Sequence, residues 1–171
     1  LSDLSTCFRY SYGVGTGVMG VPNDDSRWGN CYGNIRATNH MFERAVSSYT
    51  GNLADIKKEL AEGHFFRAYN YFYLLKFFGG VPVVTKVLDV TSPELYGKRN
   101  SRYEVVNLIL SDLDEAIAGL PLEQNITSAD KGKISKQAAQ AFKARVLLYE
   151  ATWRKYNGTS TDFERSEERR V

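Results

Sequence analysis

The sequence predicts an all-α protein of stacked helical hairpins with long irregular loops, on three observations. Four segments carry apolar residues at helical spacing or in helix-rich composition. Strong start and stop residues bound them. The one extended apolar run between them, VPVVTKVL at 81–88, stands alone and reads as a strap or short edge segment, not as part of a sheet.

Taken in order, residues 1–28 are irregular, because GVGTGVMGVPNDDSRW is dense in glycine and turn formers and sustains neither a period of 2 nor one of 3.6. A first helix is predicted from Gly29–Tyr32 to about Tyr49. Ile35, Met41, Phe42, Ala45 and Val46 form its apolar side, with Asn34 and Asn39 interrupting the pattern. Thr50-Gly51-Asn52 breaks the chain, and a second helix follows over 53–78. Gly79-Gly80 and then Pro82 stop it, and Lys76 in its last turn suits the negative end of the helix dipole.

The third helix has the clearest start, an S-x-x-E capping box at Ser101 and Glu104. Val106, Ile109, Leu110, Leu113, Ile117 and Leu120 then recur at spacings of 3 and 4, while Asp112, Asp114 and Glu115 read as a solvated face. Pro121 closes the helix. After the polar loop LEQNITSADKGKI, Ser135 caps a fourth helix that ends at Asn157-Gly158, and DFERSEERRV reads as the start of a further element. The organisation is therefore an irregular segment 1–28, a helical region 29–158 and the beginning of something else over 159–171. Two hairpins of about fifty residues joined by a strap are tetratricopeptide-like, although looser than a 34-residue repeat.

The chain is 171 residues long with a net charge of +2, 43% hydrophobic and 25% charged. That balance, without a Lys/Arg stripe, argues against nucleic acid as a partner. No run is long and apolar enough for a membrane helix, and no charged stretch followed by an apolar one reads as a signal peptide. Cys7 and Cys31 are either one disulfide or two free thiols. His40 and His64 show no ligand spacing, so no metal or other cofactor is expected. No G-x-S-x-G elbow occurs. Gly15–Gly20 match G-x-G-x-x-G, but VPNDDS follows where a helix N-terminus would be needed, so a glycine loop is the better account.

The candidate site is the loop NDDSRW. Asn23, Asp24, Asp25 and Arg27 offer hydrogen-bonding groups and Trp28 a stacking face, a combination suited to the C–H faces and hydroxyl rims of sugars. The same loop also suits capping of the first helix. Residues 63–82, GHFFRAYNYFYLLKFFGGVP, hold eight aromatics in twenty positions, apolar nearly all round. That is the pattern of a helix packed on several sides, so this stretch is assigned to the core and not to a ligand platform.

Four blocks carry a family resemblance: WGNCYGNIRATNHMF, AEGHFFRAYNYFYLLKFFGGVPVV, SRYEVVNLILSDLDEAIAGLP and GKISKQAAQAFKARVLLYEATWRKYNG. In this order they resemble the signature helices of the SusD/RagB family, surface glycan-binding lipoproteins of Bacteroidetes. Within them are a W-x3-Y-x2-I-x3-N pattern and an aromatic-Arg-Ala-Tyr core at Phe66–Tyr69, with Lys133 and Phe142 departing from the usual Arg and Leu. The resemblance implies a tetratricopeptide-like scaffold without catalytic activity. It further implies an outer-membrane location on the extracellular face and delivery of oligosaccharides, or of peptides in some members, to a SusC-like TonB-dependent transporter. The family's chains are longer and begin at a lipid-bearing cysteine, so this chain corresponds to an N-terminal part and its membrane attachment would be a lipid anchor it does not carry. A tetratricopeptide-like scaffold that binds only proteins is the reading from another class.

Overall fold

A computed structural model of the protein describes residues 25–158. Asn23, Asp24, Cys7, the G-x-G-x-x-G loop and the 159–171 tail lie outside the described residues. Four helices run α1 Ser26–Ser47, α2 Lys57–Phe78, α3 Arg102–Gly119 and α4 Lys136–Asn157. Short 3-10 turns at Leu53–Ile56, Pro93–Tyr96, Glu123–Asn125 and Ser128–Asp130 punctuate the connections, and no strand is present among the described residues. The helices stack in chain order: α2 packs against both α1 and α3, and α3 also packs against α4.

The predicted signals act at the helix ends. Ser101 and Glu104 form the full capping box of α3, each side chain binding the other residue's backbone N–H. The Ser135 hydroxyl accepts from the Ala138 N–H at the start of α4. Helix α1 begins three residues earlier than its apolar pattern suggests, because the Asp25 carboxylate accepts from the Arg27 N–H and caps it there. The region predicted as the first part of the second helix is instead the 3-10 turn Leu53–Ile56, capped by Asn52. Gly79, at φ 71°, ends α2 in the left-handed region. Gly80 is needed for closeness: a Cβ there would lie 2.3 Å from the Asn100 carbonyl oxygen.

Helix α2 is the hub. Ala61, Phe65, Ala68, Tyr71, Phe72, Leu74 and Leu75 are buried in one core with Cys31 and Ile35 of α1, Val105, Val106, Ile109, Leu113 and Ala116 of α3, and Ala139 and Val146 of α4. Phe72 is wedged edge-on between Phe142 and Tyr149, at ring centroids 5.4 and 5.3 Å away. Cys31 is a buried free thiol, and burial pushes its pKa up.

Two expectations are corrected. The aromatic stretch is not core on all sides: Phe66, Tyr69 and Phe77 are each close to half exposed. Polar residues of the same helix, Arg67 and Asn70, are buried instead. Likewise Asp112 is buried rather than on a solvated face, while Asp114 and Glu115 are exposed as expected. The large apolar residues of α3 mark only half of its buried arc. Val105 and Ala116, smaller and easily overlooked, extend that arc to the side on which Asp112 lies.

Candidate functional site

The strap after α2 is extended but joins no sheet, so its backbone groups need partners of another kind. Side chains of the neighbouring elements supply them. The Tyr32 hydroxyl donates to the Pro82 carbonyl at 2.7 Å. The Tyr71 hydroxyl accepts from the Val84 N–H at 2.8 Å and donates to the Val84 carbonyl at 3.0 Å. The Asn39 amide donates to the carbonyls of Val84 and Lys86 at 3.0 and 3.3 Å. Arg36 donates to the Leu88 carbonyl at 2.6 Å, and Asn100 accepts from the Val83 N–H at 2.8 Å. Burial pushes the Tyr71 phenol up to about 12 and raises that of Tyr32 too, so both hydroxyls remain donors at neutral pH.

Asn39 is itself held from below. Its side-chain oxygen accepts from Arg67 Nη1 at 2.9 Å, and Arg67 makes a two-pronged pair with Asp112 at 2.8 and 2.7 Å. His64 Nδ1 completes the set at 2.8 Å from Asp112. Burial pushes the Asp112 carboxyl up, but the hydrogen bonds from Arg67 and His64 outweigh it and hold the carboxyl below its ordinary value. One buried polar chain thus runs from α3 through α2 and α1 to the strap.

Between the strap and α1 lies a groove of about 290 Å³. Trp28, Tyr32, Ile35 and Arg36 form one wall, and Pro82, Val84, Lys86 and Leu88 the other, with Glu94 and Leu95 at the rim. It is mostly apolar with a charged edge, where Lys86 and Glu94 pair at 2.5 Å. Trp28 is fixed by a tilted contact with Tyr32 and an edge contact with Phe78, at 5.0 and 5.1 Å.

Of the predicted site residues described, the structure brings Trp28 to this groove and turns Asp25 and Arg27 toward each other. The Arg27 guanidinium grips the Asp25 carboxylate at 2.9 and 2.7 Å and lies 4.4 Å over the Phe77 ring. The hydrogen bonds from Arg27 hold the Asp25 carboxyl below its ordinary value. This pair serves the cap of α1 and the end of α2. Sequence reasoning missed Arg36, Lys86, Glu94 and Leu95, which only the path of the strap places beside Trp28. Tyr32 and Asn39 had a signal, their positions in W-x3-Y-x2-I-x3-N. Among the described residues no group of histidine, cysteine and carboxylate side chains could hold a metal, and no helix is long and apolar enough to cross a membrane.

Comparison with known proteins places this geometry. The SusD-like protein P38 of Formosa agariphila is 37% identical over 91 residues, 53% of this chain and 17% of the relative. A crystal structure of a SusD-like protein from Bacteroides fragilis superposes with a TM-score of 0.69 at 36% identity, over 77% of this chain and 25% of that one. A laminarin-binding SusD-like protein superposes with a TM-score of 0.65 at 28% identity, over 75% of this chain and 27% of that one. The chain thus spans about a quarter or less of the curated relatives it matches. A family model described as starch-binding and associating with the outer membrane matches residues 21–148, well over half of the sequence, and the chain belongs to this SusD-like family.

Proposed function

We propose that this chain is the strap-bearing part of a non-catalytic carbohydrate-binding protein. That protein sits on the extracellular face of the outer membrane and passes oligosaccharides to a SusC-like TonB-dependent transporter. Family membership across residues 21–148 carries the reading, and a relative that binds laminarin supports a glycan ligand. The groove supports it chemically. An indole wall beside apolar side chains suits the C–H face of a sugar ring, and the charged rim suits its hydroxyls. The groove would act as one subsite of a larger surface. Two carboxylates near this end of the molecule are engaged with arginines, Asp112 with Arg67 and Asp25 with Arg27.

Isothermal titration against a panel of polysaccharides, with product analysis on the same samples, tests the proposal. Binding without released sugar is expected; released sugar or no binding across the panel would sink it. Trp28→Ala should weaken the preferred glycan about tenfold, ~1.4 kcal/mol, with helical circular dichroism unchanged. Co-purification with an outer-membrane barrel tests the delivery step.

A further inference from the structure

The groove beside Trp28 carries a charge that a neutral sugar would leave unanswered. Its lining sets two cations, Arg36 and Lys86, against one anion, Glu94. Lys86 and Glu94 answer each other at 2.5 Å. Arg36 has no such partner: it gives one Nη1 donor to the Leu88 carbonyl at 2.6 Å and makes no ion pair among the described residues. The rest of its planar fork of N–H donors is left for solvent or a ligand. The bond to Leu88 anchors the side chain against the strap, which reduces the ordering that a ligand would have to impose. Apolar groups surround the charge, because Ile35, Pro82, Val84 and Leu88 line the same groove. Low-dielectric walls of this kind concentrate the field of an unpaired cation.

Position decides what that cation can meet. Trp28, Tyr32 and Arg36 follow one another at spacings of four on α1 and line one wall. Arg36 therefore stands about 12 Å along the helix from Trp28, at 1.5 Å rise per residue. We propose that this groove selects a sugar with an anionic substituent, a carboxylate or a sulfate ester, with Arg36 holding the anion while Trp28 takes a ring face. The inference rests on the carbohydrate-binding reading of the same groove and narrows it to a substrate class. A guanidinium fork meets two oxygens of a carboxylate or sulfate at once, whereas a hydroxyl offers it a single oxygen without charge. An acidic peptide would satisfy Arg36 too, but carboxylate side chains give the indole no C–H ring face.

Isothermal titration with matched pairs tests the proposal. Oligosaccharides of alginate, of polygalacturonate and of a sulfated galactan are each compared with their carboxyl-reduced or desulfated counterparts. At least one acidic member should bind about tenfold more tightly than its neutral counterpart, and added salt should shrink that ratio. A ratio confined to the uronates identifies a carboxylate as the substituent, and one confined to the galactan a sulfate ester. Arg36→Gln should abolish the ratio and leave the neutral member's affinity unchanged, while Trp28→Ala should weaken both members alike. Arg145→Gln, the same change of charge on the exposed surface of α4, should leave the ratio intact. Glu94→Gln, at the exposed rim, releases Lys86 and should tighten the acidic member about threefold; this variant decides if Arg36→Gln loosens the strap. Neutral members bound as tightly as acidic ones overturn the proposal and leave the carbohydrate-binding reading standing. So does an acidic preference that ignores both Arg36→Gln and Glu94→Gln, or one that Arg145→Gln abolishes. Polyglutamate bound as tightly as the acidic sugars also overturns it, since the groove would then read charge alone. No binding to any member of any pair overturns both readings.

Discussion

Replacing Asp112 with alanine would leave the Arg67 guanidinium buried without its carboxylate. Both side chains are almost wholly enclosed, at 8% and 3% exposure, so water cannot replace the lost oxygens. Breaking such a pair from one side costs about 3–5 kcal/mol, a large part of the 5–15 kcal/mol that typically holds a domain together. The same principle makes the control informative. Arg67→Met with Asp112→Leu removes both charges and fills the space with apolar atoms, and is expected to cost far less than the single change. What remains is about 1 kcal/mol for Asn39, whose side-chain oxygen loses its Arg67 donor. Urea unfolding followed by circular dichroism measures all three. A single-variant loss below about 1 kcal/mol, or a double variant as damaged as the single, would refute the description of this pair as desolvated and mutually dependent. The pH dependence has a definite sign. The folded-state pKa of Asp112 is depressed, so its contribution is complete above its unfolded value of roughly 3.9. It is lost as pH falls through the lower folded value. Asp112→Asn should therefore flatten the acid limb of the stability curve relative to the parent, leaving the slopes due to other carboxylates unchanged.

Further outcomes follow from the packing. Asn39→Leu strips donors from the strap carbonyls and an acceptor from Arg67; it should cost about 2–3 kcal/mol and speed hydrogen exchange over residues 81–88 more than elsewhere. Gly80→Ala drives a Cβ to 2.3 Å from the Asn100 oxygen and should cost about 1–3 kcal/mol. Gly33→Ala on open α1 surface should instead stabilise by about 0.5–1 kcal/mol in thermal melts. Phe72→Ala, at 5% exposure, should lose about 3–5 kcal/mol. Tyr69→Ala, three residues away on the exposed stripe, should lose less than about 1 kcal/mol, and equal losses would contradict the division of this helix into two faces.

Local chemistry made the helices legible. A capping box, a serine cap and a double glycine act within one turn of themselves, so the sequence states them directly. What was not legible depends on the partner across the interface. Asp112 looks solvated on a helical wheel until Arg67 of another helix is opposite it. Asn39 looks like a flaw in an apolar side until the strap passes over it and takes its two donor bonds. The aromatic run from Phe65 to Phe78 carries no polar face from which to tell inside from outside. That distinction was set by where α1, α3 and α4 leave it uncovered. The candidate loop was partly legible for the same reason: Asp25 and Arg27 are adjacent enough to find each other, whereas the groove beside Trp28 needs a strap more than fifty residues further on.

The signature positions divide by task. Ile35 is core at 1% exposure. Tyr32 and Asn39 face the strap and hold its carbonyls. Arg67 holds Asn39. Trp28 combines packing against Tyr32 and Phe78 with a place in the groove wall. A motif built this way specifies a path for an extended chain, since each of its polar members satisfies a backbone group of that chain or the residue that does so. It leaves open the groups displayed along the path. The charged groups of the groove, Arg36, Lys86 and Glu94, lie outside the motif: Arg36 spends one donor on Leu88, while Lys86 and Glu94 face each other across the rim. Exchanging Lys86 or Glu94 would alter the charge along the groove rim without touching the polar chain from Asp112 to Asn39. The charge that the groove displays can therefore change while the frame that displays it stays the same.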